Sequence, residues 1–125
     1  MTAAFWCVLI AGLMPYFTVA AAKAGGRYDN HNPRDWAAKT EGFRKRAYAA
    51  HQNHFEAFPL FAAAVLIADL KGGPRLSVDI LAIIFIAARL GYTVCYIRDL
   101  PNLRSLFWFI GIATAVAILT SPAWI

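Results

Sequence analysis

Four long apolar segments alternate with short polar segments along the chain. The first, residues 3–22, contains no charged residue and as a helix is long enough to cross a hydrocarbon layer of roughly 30 Å. Three further segments, at about residues 40–70, 78–97 and 104–122, repeat the pattern with few internal charges. The pattern predicts an all-α integral membrane protein: a four-transmembrane-helix bundle formed by a single domain over residues 1–125.

Helix-breaking residues separate the four predicted spans. The polar stretch 23–46 contains Asn32-Pro33, a step that favours a break before a new helix. Residues 71–74 (KGGP) end the second span, and residues 99–102 (DLPN) end the third. We expect the first loop to be a solvated turn that leads into the second span. A cleaved signal peptide is disfavoured for the first span, because no Lys or Arg precedes it and its apolar run exceeds the usual length.

Composition supports a membrane protein and weakens other readings. Hydrophobic residues make up 60% of the 125 residues and charged residues 15%, against about 45–50% and about 25% in soluble domains. The net charge of +5 is concentrated between the spans and comes without a recognition motif, so we expect no nucleic-acid partner. Cys7 and Cys95 lie inside apolar segments as inert thiols, and no spacing of ligands predicts a metal site.

The positive charge of the loops predicts the orientation. Loops one and three lie on the same side of a four-span protein, and together they hold most of the loop arginines and lysines. By the positive-inside rule this side is cytoplasmic, and both termini lie on the opposite side. The basic residues are Lys23, Arg27, Arg34, Lys39, Arg44, Lys45 and Arg46 in loop one, Lys71 and Arg75 in loop two, and Arg98 and Arg104 in loop three.

Ionisable groups inside the spans are the candidate functional residues, since each costs at least about 2.5 kcal/mol to place there. Glu56 and Arg89 are such residues, and a structural ion pair between them is the plain alternative. Their neighbours indicate more, because side chains three or four residues apart share one helix face. The candidate set comprises Arg46, Asn53 and Glu56 on the second span, Arg89, Tyr92 and Tyr96 on the third, and Arg104 at the start of the fourth.

This set suits a small zwitterionic ligand that carries more than one carboxylate. Arginines bind carboxylates, a glutamate binds an ammonium group, and an asparagine side chain pairs with peptide groups. His51 and His54 are interpreted as partly solvated bystanders near the membrane surface.

Three motifs in order resemble the MAPEG family, the membrane-associated proteins in eicosanoid and glutathione metabolism. Residues 53–61 (NHFEAFPLF) are similar to the second-span signature of its leukotriene-synthesising branch, Asn-x-x-Glu-x-Phe-Pro-Leu-Phe. Residues 88–92 (ARLGY), followed by Tyr96 and Arg98, look like the third span of the same branch, and Leu103-Arg104 like its arginine before the fourth span. The chain thus resembles a bacterial-type member of this family over most of its length.

The resemblance implies a homotrimer that binds glutathione as co-substrate between neighbouring subunits, on the cytoplasmic side. It further implies a membrane-bound glutathione-dependent transferase or peroxidase acting on a lipophilic electrophile that arrives through the bilayer. Arg46 falls within the implied glutathione-binding set. By the same resemblance, Asn53 and Glu56 would hold the γ-glutamyl end, Arg89, Tyr92 and Tyr96 would line the peptide, and Arg104 would stabilise the thiolate.

One position departs from the family pattern. Many members carry an arginine that contacts glutathione three residues after the position of Arg46, where this chain has Ala49. The departure leaves open a non-catalytic MAPEG-fold protein that binds a lipid or another anion. A small proton-coupled exporter is a third reading of four spans with one carboxylate, but the arginines near Glu56 would repel a cationic cargo.

Overall fold

The computed structural model describes residues 1–124 and is entirely helical in its regular structure. Four of its helices are long and apolar enough to cross a membrane, which confirms the predicted fold class of a four-span membrane bundle. The helices are α1 (Ala3–Lys23), α2 (Pro33–Lys39), α3 (Gly42–Leu70), α4 (Arg75–Ile97), α5 (Pro101–Thr120) and a closing 3₁₀ turn (Ser121–Trp124).

Small residues and one aromatic pair form the centre of the bundle. Alanines from all four long helices are buried there, which lets the helix backbones approach closely. Phe61 of α3 and Phe85 of α4 stack face to face with their ring centroids 3.9 Å apart. α1 packs mainly on α3, and α4 mainly on α5. The large apolar side chains that point outward, such as Phe17, Leu76 and Phe109, form the surface that faces lipid.

Side chains satisfy helix-end backbone groups at one end of the bundle. Arg44 Nη1 donates to the carbonyl oxygens of Ala22 (3.1 Å) and Ala24 (2.6 Å) at the end of α1. Arg46 Nε donates to the carbonyl of Ile97, the last residue of α4, at 3.0 Å. These contacts bring loops one and three together at one end. We call it the basic end of the bundle.

The first loop and three helix starts differ from the sequence prediction. The loop is not only a turn, because α2 begins with Pro33 in its first turn, where proline fits best. The second span starts at Gly42 rather than 40, since Thr40 ends α2 in an extended conformation. The third starts at Arg75 rather than 78, directly after Pro74, and the fourth at Pro101 rather than 104.

Candidate functional site

Four of the predicted site residues line one cavity near the basic end. The cavity has a volume of about 230 Å³ and lies among α3, α4 and α5. We call it the tyrosine cavity. Its lining consists of Asn53, Tyr92, Tyr96, Arg104, Ser105 and Trp108.

Tyr96 and Arg104 form the cationic side of this cavity. Tyr92 and Tyr96 are one turn apart on α4, and their rings meet edge to face with centroids 5.6 Å apart. The Arg104 guanidinium carbon lies 4.4 Å from the centroid of the Tyr96 ring, a cation–π contact. Because α5 starts at Pro101, Arg104 belongs to its first turn, where the helix dipole also favours an anion. This corner of the cavity therefore suits a negatively charged group.

Asn53, which lines the cavity, and the adjacent Glu56 supply acceptor groups. Asn53 Nδ2 donates to Glu56 Oε2 at 3.4 Å, so the two side chains act together. Within residues 1–124 the buried Asn53 Oδ1 has no hydrogen-bond partner. Glu56 is exposed on the surface of the single chain. A buried acceptor without a donor is costly, and this pair is therefore suited to the N–H and ammonium groups of a ligand.

Arg89 lies behind the tyrosine cavity. Its side chain is 2% exposed, and its hydrogen-bond partner is His54, not the Glu56 of the alternative ion pair. Arg89 Nη2 and Nε lie 2.8 and 3.3 Å from His54 Nδ1. The guanidinium carbon lies 4.3 Å from the centroid of the Tyr92 ring. Arg89 therefore supports a wall of the cavity from inside the bundle.

His54 corrects the interpretation of the second-span histidines. It is 3% exposed, so it is not a partly solvated bystander. A signal for this was available in the sequence: Ala50, His54, Ala57 and Phe61 recur at steps of three or four, and all four are buried on one face of α3. His51, by contrast, is half-buried near the surface.

Arg46 does not line the tyrosine cavity. Its Nε is hydrogen-bonded to the Ile97 carbonyl, which places the side chain at the junction of α3 with the end of α4. The predicted set therefore divides into three groups: the lining residues Asn53, Tyr92, Tyr96 and Arg104, the adjacent Glu56, and the supporting Arg46 and Arg89.

A second, larger space lies between α2 and α3. It has a volume of about 600 Å³, and we call it the basic cleft. Its lining is Arg34, Ala37, Ala38, Lys45, Tyr48, Ala49, His51, Gln52 and Phe55. Ala49, the departure from the family pattern, thus lies beside Lys45 one turn earlier on α3. The cleft lining has two cationic side chains and no carboxylate.

Comparison with known sequences agrees with this architecture. No curated protein matches the chain. Residues 3–124, which include all four long helices and every residue of the tyrosine cavity, match the sequence model of the MAPEG family. The chain therefore belongs to the MAPEG family.

Proposed function

We propose that the chain is a membrane-bound glutathione-dependent transferase or peroxidase that acts on a lipophilic electrophile. The observation that carries the proposal is the tyrosine cavity, whose lining combines the cationic corner of Tyr96 and Arg104 with Asn53, the hydrogen-bonded neighbour of Glu56. Membership of the MAPEG family is compatible with a role in glutathione or eicosanoid metabolism.

The lining and the adjacent Glu56 offer partners for three parts of glutathione. The ammonium group and amides of the γ-glutamyl end would meet Glu56 and the free Asn53 Oδ1. The peptide would lie along Tyr92 and Tyr96, and the sulfur beside Arg104. A free cysteine thiol has a pKa of about 8.5, and an adjacent guanidinium lowers it by favouring the thiolate. Arg104 would thereby raise the fraction of nucleophilic thiolate at neutral pH.

Both proposed reactions, transfer and peroxide reduction, begin with attack by the glutathione thiolate. In transfer, the thiolate attacks an electrophilic carbon, a C–S bond forms, and the bond from that carbon to its leaving group breaks with the electron pair on the leaving group. In peroxide reduction, the thiolate takes the terminal oxygen of a lipid hydroperoxide, the O–O bond breaks, and the lipid leaves as an alcohol after protonation. A second glutathione then converts the sulfenic acid to glutathione disulfide and water.

We further propose that neighbouring copies complete the site in a homotrimer. The volume of about 230 Å³ is smaller than the roughly 300–1,000 Å³ of ordinary ligand pockets. Glu56 is exposed in the middle of a membrane-spanning helix, where contact with lipid is costly. A neighbouring subunit over α3 would cover Glu56 and enlarge the cavity.

We place loops one and three in the cytoplasm and both termini on the opposite side, by the positive-inside rule. The structure brings these two loops to one end of the bundle. A thiol reagent that does not cross membranes, applied to intact cells, should label Lys71→Cys and leave Asp29→Cys unlabelled. The two native cysteines are buried, which keeps background labelling low. If Asp29→Cys is labelled and Lys71→Cys is not, the orientation is the opposite of the one proposed.

Arg104 provides the test of the proposed chemistry. Arg104→Ala should lower kcat/KM for conjugation to a lipophilic electrophile by about 100-fold or more, the size of effect seen when a transition-state stabiliser is removed. Ultraviolet titration of bound glutathione should show that the thiol pKa rises, because the cation beside the thiolate is gone. In Arg104→Lys, both kcat/KM and the thiol pKa should lie between the values for Arg104→Ala and the wild type.

Arg98→Ala is the matched control, since Arg98 is an exposed cation of the same loop outside the cavity lining. It should leave both quantities near the wild-type values. If Arg104→Ala conjugates at the wild-type rate and leaves the thiol pKa unchanged, the assigned thiolate role is wrong.

The basic cleft supports a second candidate function, a non-catalytic protein that binds a lipid or another anion. Ala49 removes a cation expected for glutathione, while Arg34 and Lys45 present two cations above the apolar Phe55 and Tyr48. On this reading, purified protein should not bind glutathione at millimolar concentration and should not turn over a generic electrophile. It should instead bind anionic lipid vesicles or nanodiscs, with binding weakened in the Arg34→Ala, Lys45→Ala double variant. Measurable turnover would exclude this candidate.

A further inference from the structure

His54 belongs to a network of hydrogen bonds with Arg89 and Thr93 inside the bundle. Its Nδ1 lies 2.8 Å from Arg89 Nη2 and 3.3 Å from Arg89 Nε. Its Nε2 lies 2.9 Å from Thr93 Oγ1, and Thr93 Oγ1 in turn donates to the Arg89 carbonyl at 2.8 Å. Arginine can only donate, so Nδ1 must be the acceptor. Because the Thr93 hydroxyl donates its proton to the Arg89 carbonyl, its oxygen accepts a hydrogen bond from His54 Nε2. The network therefore assigns a neutral His54 that carries its proton on Nε2.

This hydrogen-bond network is connected to the tyrosine cavity through side-chain contacts. The Arg89 guanidinium that His54 holds lies over the Tyr92 ring at 4.3 Å. Tyr92 meets the edge of Tyr96 at 5.6 Å, and Tyr96 lies beneath Arg104 at 4.4 Å. Each contact has a preferred geometry. The orientation of Arg89 therefore affects the position of the Tyr92 ring directly. Through Tyr92 it also affects the cationic corner formed by Tyr96 and Arg104.

We propose that His54 is a positioning residue for the glutathione site. It fixes the buried Arg89 across the back of Tyr92 and so holds the α4 wall of the cavity in its binding geometry. The inference deepens the proposed function and rests on it. His54 itself does not line the cavity, and within residues 1–124 no other side chain is hydrogen-bonded to the Arg89 guanidinium.

The physical reason is the cost of a buried charge without an acceptor. Hydrogen bonds to charged groups are stronger than those between neutral groups, and an arginine deprived of them would reorient toward another acceptor or toward water. Such a movement withdraws the guanidinium from Tyr92. Asparagine offers an oxygen near the position of Nδ1, whereas leucine offers no acceptor. The pair His54→Asn and His54→Leu therefore separates loss of the hydrogen bond from loss of the imidazole ring.

The experiment measures glutathione binding by calorimetry and steady-state kinetics in the wild type, His54→Leu and His54→Asn. His54→Leu should weaken glutathione affinity and raise KM for glutathione by about tenfold, the effect of about 1.4 kcal/mol, with a smaller change in kcat. His54→Asn should restore affinity to within about threefold of the wild type, since its oxygen can accept from Arg89. Val65→Ala is the matched control, a buried change on the same helix at the other end of the bundle.

A second readout does not depend on glutathione. The Nε–H signal of Arg89 in an arginine-labelled NMR spectrum, identified by its loss in Arg89→Lys, should be protected from solvent exchange in the wild type and His54→Asn but not in His54→Leu. If His54→Leu matches Val65→Ala in both stability and affinity, the inference is overturned. The wild type could bind no glutathione while the exchange protection of Arg89 still depends on His54. In that case the proposed function fails, and the hydrogen bond by which His54 positions Arg89 is confirmed.

Discussion

Arg46 and Arg104 lie at the same end of the bundle, but their side chains meet different partners. Arg104 lies against Tyr96 inside the tyrosine cavity. Arg46 donates to the carbonyl of Ile97, one of the last carbonyls of α4, which have no partner within their own helix. A cation at a helix C-terminus also interacts favourably with the helix dipole. In the single chain, Arg46 is thus a helix-end contact, whereas Arg104 is available to a ligand.

We expect Arg46→Ala to lower the free energy of unfolding in detergent by about 1–2 kcal/mol, because it removes a charge-assisted hydrogen bond at the end of α4. Glutathione affinity should change by less than about threefold, since losing the Nε contact with Ile97 removes no cavity-lining atom. Denaturant titration and calorimetry on the same preparation measure the two quantities. A larger loss of affinity at unchanged stability would instead make Arg46 a direct ligand contact, as the family resemblance implies.

Helical spacing predicts the shared face of the two tyrosines but not what supports it. Steps of three and four predicted that Tyr92 and Tyr96 share a face, and they do meet in the cavity. The same rule cannot tell which residue of another helix faces them. The spacing therefore groups Arg89 with the ligand-binding residues, whereas its hydrogen-bond partner in the structure is His54, 35 positions away in the chain.

Among the helices, α4 and α5 pack closely because a glycine lies at their contact. A Cβ atom built on Gly91 of α4 would lie 2.8–2.9 Å from ring carbons of Phe107 on α5, closer than real contacts allow. Gly12 of α1 has more room, because its nearest neighbour, the Phe58 ring, would be 3.4 Å away. Gly91 lies one residue before Tyr92, so its contact with α5 also sets the distance between the two helices that line the tyrosine cavity.

Gly91→Ala should destabilise the bundle by about 1–3 kcal/mol, because Phe107 and the α5 backbone have to move to admit the methyl group. Gly12→Ala, a matched change in another spanning helix, should leave stability equal or slightly higher, since alanine is the better helix former. Unfolding of the purified proteins in the same detergent measures both. Equal stability of the two variants would show that the contact between α4 and α5 relaxes without cost.

For the molecule as a whole, one exposed carboxylate lies in the middle of a spanning helix, α3. Glu56 is exposed there, next to the lining residue Asn53. A carboxylate in contact with hydrocarbon costs several kcal/mol, whereas a neighbouring subunit could supply hydrogen-bond donors. The exposed position of Glu56 therefore favours assembly through this face.

We expect native mass spectrometry in mild detergent to give the mass of three copies. Glu56→Lys should shift the distribution toward single chains, because it replaces an acceptor of hydrogen bonds with a cation that can only donate. Glu56→Gln should change it less, since the amide is neutral and keeps an acceptor oxygen. A wild-type protein that is monomeric in several detergents and in nanodiscs would contradict the trimer and leave the tyrosine cavity as a site within one chain.

The features that depend on local patterns follow from the sequence alone. Runs of about 20 apolar residues can satisfy their backbone groups in a membrane only as helices, so the four spans and the breaks between them could be predicted. Tertiary packing sets which polar residues meet, because helix rotation and spacing depend on contacts at residues such as Gly91 and Phe61. It placed Asn53 beside Tyr92, Tyr96 and Arg104, and it buried Arg89 against His54.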